Sequence, residues 1–252
     1  MTDATGTTET ILSNPAFRTE GQLPYVEAFG PTLQGEGPAA GQLSTFVRFG
    51  GCNLSCSWCD SAYTWDGKNY DLREEITLLP VTEILNRMPD SRLIVVTGGE
   101  PLLNQKNPAF IDFLTRLQQG GHEVHMETNG TIAPLPEVAR LVDHFSVSPK
   151  LGHAGLHKRS QSPVMHTGWA DVHEVSDAHL KVVVITEDDV REAKAMADKY
   201  GWPAHRVWVM PEGVTKEVLN ARWPDVCDWA TKYGVNATHR LHVLSWGDER
   251  GH

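Results

Sequence analysis

Residues 44–59 read STFVRFGGCNLSCSWC, in which a predicted strand runs directly into a loop that holds three of the chain's four cysteines. The apolar pattern over 44–49 favours the strand. In barrels of parallel strands, the chemistry is found where strands end and loops begin. The stretch therefore predicts a strand of an α/β fold and the place of its functional groups.

The three close cysteines, Cys52, Cys56 and Cys59, predict an iron–sulfur cluster. Thiolates at such short spacings are typical cluster ligands. Together they can hold a four-iron, four-sulfur cluster and leave one iron open to chelate the amino and carboxylate groups of S-adenosylmethionine (SAM). The remaining cysteine, Cys227, lies far downstream in a helical-looking stretch, and we interpret it as a buried structural thiol.

Other interpretations of these cysteines remain open. A structural zinc site needs a fourth ligand, which His122 or His125 can supply, but neither lies in a second close pair. A disulfide framework is typical of small secreted chains, whereas this chain has 252 residues and no evident signal peptide. A thioredoxin-like redox pair would use Cys56 and Cys59 and leave Cys52 without a role.

The composition is that of an ordinary globular protein, with 40% hydrophobic and 21% charged residues. A net charge of −10 without an extended basic run argues against a nucleic-acid or membrane surface. No apolar run approaches the roughly 20 residues of a spanning helix. Cluster thiolates need a reducing compartment, so we expect a cytoplasmic protein.

Strand and helix patterns alternate along the chain after a polar segment. We expect residues 1–22 to be a mobile N-terminal tail and 23–252 to form one domain. Strands are predicted at 25–29, 44–49, 93–96, 122–126, 145–147, 181–185, 206–210 and 241–244, and helices near 108–119, 134–141, 188–200 and 216–232.

Apolar strands separated by helices are typical of parallel βαβ units. About six such units without a dinucleotide-binding glycine pattern predict a partial, incomplete TIM-like barrel of parallel strands with outer helices. The segment 152–171 is rich in Gly, His and Ser, and we interpret it as a surface insertion with solvated histidines at 153, 157 and 166.

Four polar segments follow predicted strands, and all map to one rim of the barrel. They are TLQGEG at 32–37, TGGEP at 97–101, ETNGT at 127–131 and SPK at 148–150. Paired glycines permit close backbone approach to a ligand, Glu100 is placed to bind an ammonium group, and Gln34 and Glu36 suit a flat heterocycle. Each segment alone also fits a polar turn, but together they predict a binding site.

These motifs resemble a known family. The Cys-x3-Cys-x2-Cys loop with Trp58 and the GGEP segment resemble the radical SAM superfamily. Adding LQGEG at 33–37, FVR at 46–48, GCNL at 51–54, WCD at 58–60, TGGEPLL at 97–103, ETNG at 127–130 and SPK narrows the resemblance to the 7-carboxy-7-deazaguanine synthase family. The resemblance extends from about Tyr25 to Gly251, and its specific part is LQGEG rather than the cysteine spacing.

The resemblance implies a radical ring contraction of 6-carboxy-5,6,7,8-tetrahydropterin to 7-carboxy-7-deazaguanine with loss of ammonia, in queuosine or 7-deazapurine biosynthesis. A 5′-deoxyadenosyl radical made from SAM would take a hydrogen from carbon 6 of the pterin, so no nucleophile–base pair is expected. It also implies a small-molecule substrate, a flavodoxin-like or ferredoxin-like electron donor, and a homodimer.

By the same resemblance, site residues divide into four groups. Cys52, Cys56 and Cys59 would hold the cluster, and Ser61 would bind Mg²⁺, although the family normally has threonine there. SAM would be bound by Trp58, Cys59, Asp60, Gly99, Glu127, Ser148, Pro149 and Lys150. The pterin would be bound by Leu33, Gln34, Gly35, Arg48 and Thr97, with the Arg48 guanidinium gripping its carboxylate.

Two other functions compete with this one. A radical activase that draws hydrogen from a glycine of a partner protein shares the cysteine loop and GGEP, but has no use for a pocket of Gln34, Gly35, Glu36 and Arg48. A zinc-binding protein without enzymatic activity is the third hypothesis. His242 is a candidate for the substrate side or an interface, and it also fits a packed strand histidine.

Overall fold

The structure is a computed structural model that describes residues 21–157, 162–170 and 176–252. Of the predicted tail at 1–22, residues 1–20 lie outside the described residues. Gln22 already belongs to the first strand. Within the described ranges no helix is both long enough and apolar enough to cross a membrane.

The four predicted helices and all predicted strands except 241–244 are present, together with two further strands and two short helices within residues 72–87 and 236–237. The strands are β1 Gln22–Leu33, β2 Leu43–Phe49, β3 Thr77–Pro80, β4 Leu93–Gly98, β5 Glu123–Thr128, β6 His144–Val147, β7 Asp177–Val184, β8 Val207–Pro211 and β9 Asn236–Ala237. The helices are α1 Leu72–Glu75, α2 Val81–Arg87, α3 Pro108–Gln119, α4 Pro136–Leu141, α5 Glu187–Lys199, α6 Lys216–Tyr233 and α7 Leu241–Trp246.

All of these strands lie in one sheet with the order β3-β1-β2-β4-β5-β6-β7-β8-β9. From β2 to β9 each neighbouring pair is parallel, whereas β1 pairs antiparallel with both β2 and β3. The order does not return to its first strand, so the sheet is open. The predicted partial barrel is confirmed, with an antiparallel edge that the sequence analysis did not anticipate.

Helix α3 illustrates how the outer layer is built. Asn107 caps it by accepting a hydrogen bond from the Ala109 backbone N–H at 3.0 Å. Its apolar residues recur at helical spacing and are buried against the sheet. Phe49 of β2 meets the rings of Phe110 and Phe113 edge to face, at centroid distances of 5.8 and 5.5 Å. Because strand side chains alternate between faces, Arg48 points into the barrel.

The barrel interior contains two polar layers, one above the other. Side chains two residues apart share a face of a strand, so Glu127 lies above His125 on β5 and Lys181 lies above His179 on β7. Below, the rings of His125, His144 and His179 are neighbours, with centroid separations of 4.8 and 4.7 Å, and are tilted by 39° and 31° relative to each other. We call these three residues the histidine layer. The layer at the carboxyl ends of the strands opens into the cleft described below.

Two predictions from the sequence, one for residues 241–244 and one for residues 152–171, are wrong. Residues 241–244 form a turn of α7 rather than a strand: the sheet beyond β8 is already extended by β9, and the Leu241 N–H donates to the Gly35 carbonyl at 2.9 Å. The segment 152–171 is not simply a surface insertion. In its described parts Ala154, Met165 and Trp169 are buried, and the Trp169 ring packs on Phe145 at 5.4 Å.

Candidate active site

A cleft of ≈ 500 Å³ opens at the carboxyl ends of the parallel strands. It brings most of the predicted site residues together, although they come from separate elements. Its lining includes Leu33, Gln34, Arg48, Cys52, Cys56, Trp58, Cys59, Asp60, Ser61, Thr97, Gly99, Glu127, Ser148 and Lys150. A volume of this size is typical of a small-molecule site.

Two predicted site residues, Gly35 and Pro149, do not line the cleft. A Cβ on Gly35 would lie 2.0 Å from Nδ1 of His242. Gly35 therefore has a packing role here, because only glycine lets the His242 ring approach the loop after β1. Pro149 is buried between Ser148 and Lys150, both of which reach the cleft.

One wall of the cleft is formed by Cys52, Cys56, Trp58, Cys59 and Lys150, which we call the thiol wall. The Leu54 N–H lies 3.4 Å from the Cys52 sulfur, and the Trp65 indole N–H lies 3.3 Å from the Cys59 sulfur. Such N–H···S contacts stabilise negative charge on sulfur, which suits thiolate ligands of an iron–sulfur cluster. The donor set of this wall therefore fits the predicted cluster.

Burial favours the protonated form of two of these thiols when no metal is bound. Burial raises the pKa of Cys52 far above its ordinary value. Burial also raises the pKa of Cys56, and the nearby Lys150 ammonium opposes this effect. Metal binding must therefore displace the protons from these thiols. In the part of the chain that the structure describes, no three His, Cys, Asp or Glu side chains are arranged to hold a single metal ion.

Trp58 orders the open side of the thiol wall. Its indole N–H donates to Nδ1 of His153 at 3.1 Å, and the two rings stack at 5.6 Å. Nζ of Lys150 lies 5.5 Å from the Trp58 ring centre and donates to the Ser148 hydroxyl at 2.9 Å. Among the described residues no carboxylate pairs with Lys150. This ammonium remains available to an anionic ligand group.

The TGGEP turn, residues 97–101, places glycine backbone without side chains at the cleft. Gly98 has a φ of 151°, and a Cβ on it would lie 2.1 Å from the Phe49 carbonyl oxygen. A Cβ on Gly99 would lie 2.1 Å from the Gly51 carbonyl oxygen. Neither position accepts a side chain, so the turn can pack directly under the cysteine loop.

The acid of that turn, Glu100, has a different role from the one predicted. It is 1% exposed and accepts hydrogen bonds from the Leu102 N–H, the Asn129 N–H and the Thr128 hydroxyl at 3.0, 2.7 and 2.9 Å. Burial raises its pKa to about 7 despite these donors. Its carboxyl group joins two loops below the cleft instead of facing a ligand ammonium. The prediction for Glu100 is wrong because the sequence did not reveal these donors.

Glu127, near the end of β5, lines the cleft, whereas Glu100 does not. Its Oε2 accepts a hydrogen bond from the Thr97 hydroxyl at 2.9 Å. Its Oε1 lies 3.0 Å from Nζ of Lys181. Glu127 and Thr97 are thus fixed relative to each other before any ligand binds.

The other wall is formed by Glu36, Arg48, Lys181 and Arg240, and Glu27 pairs with Arg48 outside the cleft lining. We call these five residues the ion-pair wall. Oε2 of Glu36 lies 2.5 Å from Nζ of Lys181, and Oε1 of Glu36 lies 2.9 Å from Nε of Arg240. Burial alone would raise the pKa of Glu36, but Lys181 and Arg240 outweigh it and hold that pKa well below its usual range.

Arg240 connects this wall to the end of the cysteine loop. One of its terminal nitrogens pairs with the carboxylate of Asp60, and the other donates to the Gly213 carbonyl at 2.7 Å. Burial would raise the pKa of Asp60, but the Arg240 guanidinium outweighs it and lowers that pKa. The Asp60 side chain is therefore engaged by the protein.

Arg48 of the ion-pair wall lines the cleft and pairs with Glu27. Its Nε donates to Oε1 of Glu27 at 2.8 Å, and its guanidinium lies 5.7 and 5.9 Å from the rings of Phe29 and Tyr63. Glu27 also accepts from the Tyr63 hydroxyl at 2.8 Å and from Arg250 at 2.7 Å. Within the described residues the terminal nitrogens of Arg48 have no partner, so they are available for a ligand carboxylate.

The predictions for the positions of the histidines are only partly confirmed. His166 is exposed, as predicted. His153 and His157 are not simply solvated: His153 contacts the Val183 carbonyl at 3.0 Å, and Nδ1 of His157 accepts from the Ser55 N–H at 3.1 Å. His242 lines the cleft, 3.8 Å from Glu36, on a helix instead of a strand. Cys227 is only partly buried, and it lies on α6 outside the cleft lining.

Sequence reasoning missed two cationic residues that line the cleft, Lys181 and Arg240. Lys181 was an available signal, because a lysine inside the apolar run of β7 is rarely buried without a partner. Its neighbours Leu180 and Val182 are both 0% exposed and face the helices, which leaves Lys181 facing the interior. Arg240 follows the two-residue strand β9 and gave no comparable pattern.

Comparisons with known sequences point to the same family as the sequence motifs that form this site. A sequence profile of the Radical SAM superfamily matches residues 46–221. A 7-carboxy-7-deazaguanine synthase of Pyrobaculum aerophilum is 34% identical over 223 residues, which cover 87% of this chain and 93% of that protein. The enzyme of the same description from Bacillus subtilis is 33% identical over 249 residues, which cover 91% of this chain and 98% of that protein.

Solved structures show the same architecture. QueE from Escherichia coli superposes with a TM-score of 0.65 at 20% identity, covering 91% of this chain and 98% of that one. SuiB of Streptococcus suis, in a structure bound to S-adenosylmethionine, gives a TM-score of 0.51 at 14% identity over 75% of this chain and 48% of that one. At such identities the likeness establishes the fold and nothing finer.

Proposed function

This chain belongs to the radical SAM superfamily and, within it, to the 7-carboxy-7-deazaguanine synthase family, and from that premise we propose that the cleft is its active site. The reaction is the ring contraction of 6-carboxy-5,6,7,8-tetrahydropterin to 7-carboxy-7-deazaguanine, with loss of ammonia, in queuosine or related 7-deazapurine biosynthesis. One observation carries the assignment of the site: a single cleft joins the three clustered thiols to the LQGEG segment and Arg48.

We propose that Cys52, Cys56 and Cys59 hold a four-iron, four-sulfur cluster. The three sulfurs line the cleft, and N–H groups contact two of them, which fits thiolate ligation. When bound, the cluster and SAM together supply the electron and the hydrogen-abstracting group that the reaction requires.

SAM is proposed to lie along the thiol wall. Lys150 supplies a cation without a carboxylate partner among the described residues, Glu127 supplies a carboxylate, and Gly99 supplies backbone that no side chain blocks. The other proposed contacts are Trp58, Cys59, Asp60, Ser148 and Pro149. Because Pro149 is buried and the Asp60 carboxylate pairs with Arg240, contacts from these two positions are assigned to backbone.

The pterin is proposed to bind between the two walls. The terminal nitrogens of Arg48 suit its carboxylate, because a guanidinium grips a carboxylate through two parallel hydrogen bonds. Leu33, Gln34 and Thr97 line the same space. Gly35 contributes by admitting His242 to the back of the loop. These residues orient the substrate and exclude water, and none of them is needed as a catalytic base.

Mg²⁺ is proposed to bind at Ser61. Its hydroxyl lies on the cleft, 3.7 Å from the Cys59 sulfur. Serine offers a hard oxygen like the usual threonine, and Mg²⁺ commonly keeps waters and substrate oxygens as its remaining ligands. Ser61→Thr should retain the metal dependence of turnover, whereas Ser61→Ala should weaken it. Equal Mg²⁺ dependence in all three forms would remove Ser61 from the proposal.

Anaerobic reconstitution tests the function directly. The iron-loaded chain should convert the carboxypterin to a product with the mass of 7-carboxy-7-deazaguanine, in a reaction that needs SAM and a reductant. An activase would instead leave the pterin unchanged and generate a glycyl radical on a partner protein. A zinc-binding protein would be colourless and retain zinc through anaerobic purification.

The partners are proposed from family resemblance. We expect a flavodoxin-like or ferredoxin-like protein to deliver the electron and the chain to form a homodimer in the cytoplasm. Sedimentation gives the mass of the assembly, and turnover with a purified flavodoxin in place of dithionite tests the donor. A monomer would contradict the first expectation, and turnover that responds only to dithionite would contradict the second.

A further inference from the structure

We infer that Lys181 is a positioning residue that fixes the substrate side of the cleft to the SAM side, an inference that rests on the function proposed above. The residue lies on β7 and is 5% exposed. A lysine this deeply buried is stabilised only by close, oppositely charged partners. Its Nζ has two, Oε2 of Glu36 at 2.5 Å and Oε1 of Glu127 at 3.0 Å.

The two carboxylates come from different parts of the fold. Glu36 follows β1, in the segment proposed to hold the pterin. Glu127 ends β5, in the segment proposed to hold SAM. The sheet places four strands, β2, β4, β5 and β6, between β1 and β7, so Lys181 bridges across the open mouth of the barrel instead of along the sheet. A contact of this kind can coordinate two ligand sites that share no backbone.

Lys181 also joins two longer chains of polar contacts. On one side, Glu127 accepts from the Thr97 hydroxyl at 2.9 Å. On the other side, Glu36 pairs with Arg240, which pairs with Asp60 beside the last cysteine of the loop. Among the side-chain hydrogen bonds of the described residues, Lys181 is the only link between these two chains of contacts.

The charges explain why a cation is needed at this position. Glu36 and Glu127 both contact Lys181 in one cleft, and two carboxylates that share a site repel each other when no cation lies between them. Lys181 neutralises that repulsion and keeps both as acceptors with fixed orientations. Burial would lower the lysine's own pKa, but the two carboxylates outweigh burial and raise it. A permanently protonated lysine cannot serve as a base, which leaves positioning as its role.

The test measures ligand binding without turnover, with the full-length, cluster-loaded chain in the absence of reductant. Calorimetry gives the affinities for the carboxypterin and for SAM. Lys181→Met, which keeps the length but removes the charge, should weaken both by at least about tenfold. Lys181→Arg should recover most of the loss, and Lys106→Met, at an exposed lysine, should match the wild type.

The pH dependence separates positioning from general stability. In Lys181→Met, Glu36 still faces Arg240 and His242, and Glu127 still faces the Thr97 hydroxyl. The two carboxylates then lack the cation between them, so pterin affinity should acquire a titration between about pH 5 and 8 in addition to any that the wild type shows. A residue with only a structural role would lower the melting temperature without this titration and without rescue by arginine. That result, or wild-type affinities in Lys181→Met, would overturn the inference.

A charge-balanced variant keeps the test valid if Lys181→Met does not fold. Lys181→Met with Glu127→Gln leaves Glu36 paired with Arg240 and no carboxylate unpaired. Pterin binding should still fall about tenfold, although Glu127 is not a proposed pterin ligand; unchanged pterin binding would overturn the inference. A wild-type chain that binds no pterin would instead refute the proposed function, so the two failures are distinguishable.

Discussion

The two walls of the cleft are organised in opposite ways. In the thiol wall, burial raises the pKa of the Cys52 and Cys56 thiols and so favours their neutral form. The Lys150 ammonium of the same wall has no carboxylate partner among the described residues. The ion-pair wall is charged throughout, and each of Glu27, Glu36 and Lys181 has at least two polar partners. The thiol wall is incomplete without its ligands. The ion pairs of the other wall are already formed, and within the described residues only the terminal nitrogens of Arg48 are left for a ligand.

The difference follows from what each wall has to bind. Cluster ligands must lose protons when iron binds, so their final order depends on the metal. An organic substrate gains most from groups that are already fixed, because their ordering then costs nothing on binding. The walls should therefore fail differently when single residues are changed.

The largest expected effect breaks the thiol wall alone. Cys56→Ala should abolish both the cluster and turnover, because the iron loses one of its few protein ligands. Pterin binding to the ion-pair wall should persist. Iron content, product formation and calorimetry measure the three properties, and Cys227→Ala, outside the cleft, is the matched control. Turnover that survives loss of the cluster would contradict the assignment.

The next effect breaks the ion-pair wall alone. Arg48→Ala should weaken pterin binding by about 2 kcal/mol or more, roughly 30-fold in affinity, because Glu27 loses a partner and the substrate carboxylate loses its guanidinium. SAM affinity and iron content should change little. Arg73→Ala, at an arginine whose side chain is 89% exposed, is the control. Similar losses for both ligands would place Arg48 outside the substrate pocket.

A smaller effect is expected from a substitution at Glu100, which lies below the thiol wall. Glu100→Gln replaces an acceptor by an amide whose NH₂ faces the Thr128 and Asn129 donors, and it should cost about 1–3 kcal/mol in the free energy of unfolding. Urea titration of the full-length chain measures this cost, with the exposed Glu192→Gln as control. If SAM binding fell and stability did not, Glu100 would be a ligand residue after all.

The smallest effect concerns the histidine layer beneath both walls. Burial and the neighbouring His125 lower the pKa of His144, and burial lowers that of His179, while Asp177 opposes the shift at His144 and Arg206 adds to it. Because the unfolded chain then binds more protons, stability should be complete above pH 6.5, the ordinary histidine value, and should fall as pH decreases below it.

His144→Gln should flatten this dependence by about 1 kcal/mol per pH unit at most, since it removes one titrating group. Thermal unfolding from pH 5 to 8 measures the slope. His205→Gln, at an exposed histidine, should leave the slope unchanged. A slope that is identical in the wild type and His144→Gln would show that the histidine layer does not control acid stability.

Much of the fold follows from local pattern. The helix at Pro108–Gln119 has the predicted bounds, because capping and apolar spacing are local signals. The segment 241–244 was predicted as a strand, since four residues do not distinguish a strand from one helical turn. The antiparallel β1 and β3 were not foreseen, because strand order depends on partners that are distant in sequence.

The candidate site divides in the same way. The close spacing of Cys52, Cys56 and Cys59 identified them as candidate cluster ligands. The surrounding motifs identified Gln34, Arg48 and Thr97 as candidate substrate contacts. The sequence assigned Glu100 to a ligand, although its donors lie on residues 102, 128 and 129. Partners of this kind are set by how loops meet.

By itself, the sequence determined most of the order of elements, the family and the cluster chemistry. These depend on motifs and on spacings between residues that are close in sequence, which can be recognised without the three-dimensional structure. Only the tertiary structure decided which carboxylate faces the cleft, which one joins loops, and that Lys181 links Glu36 to Glu127. Those outcomes depend on strand register and on burial, which favours charges only where partners from distant segments converge.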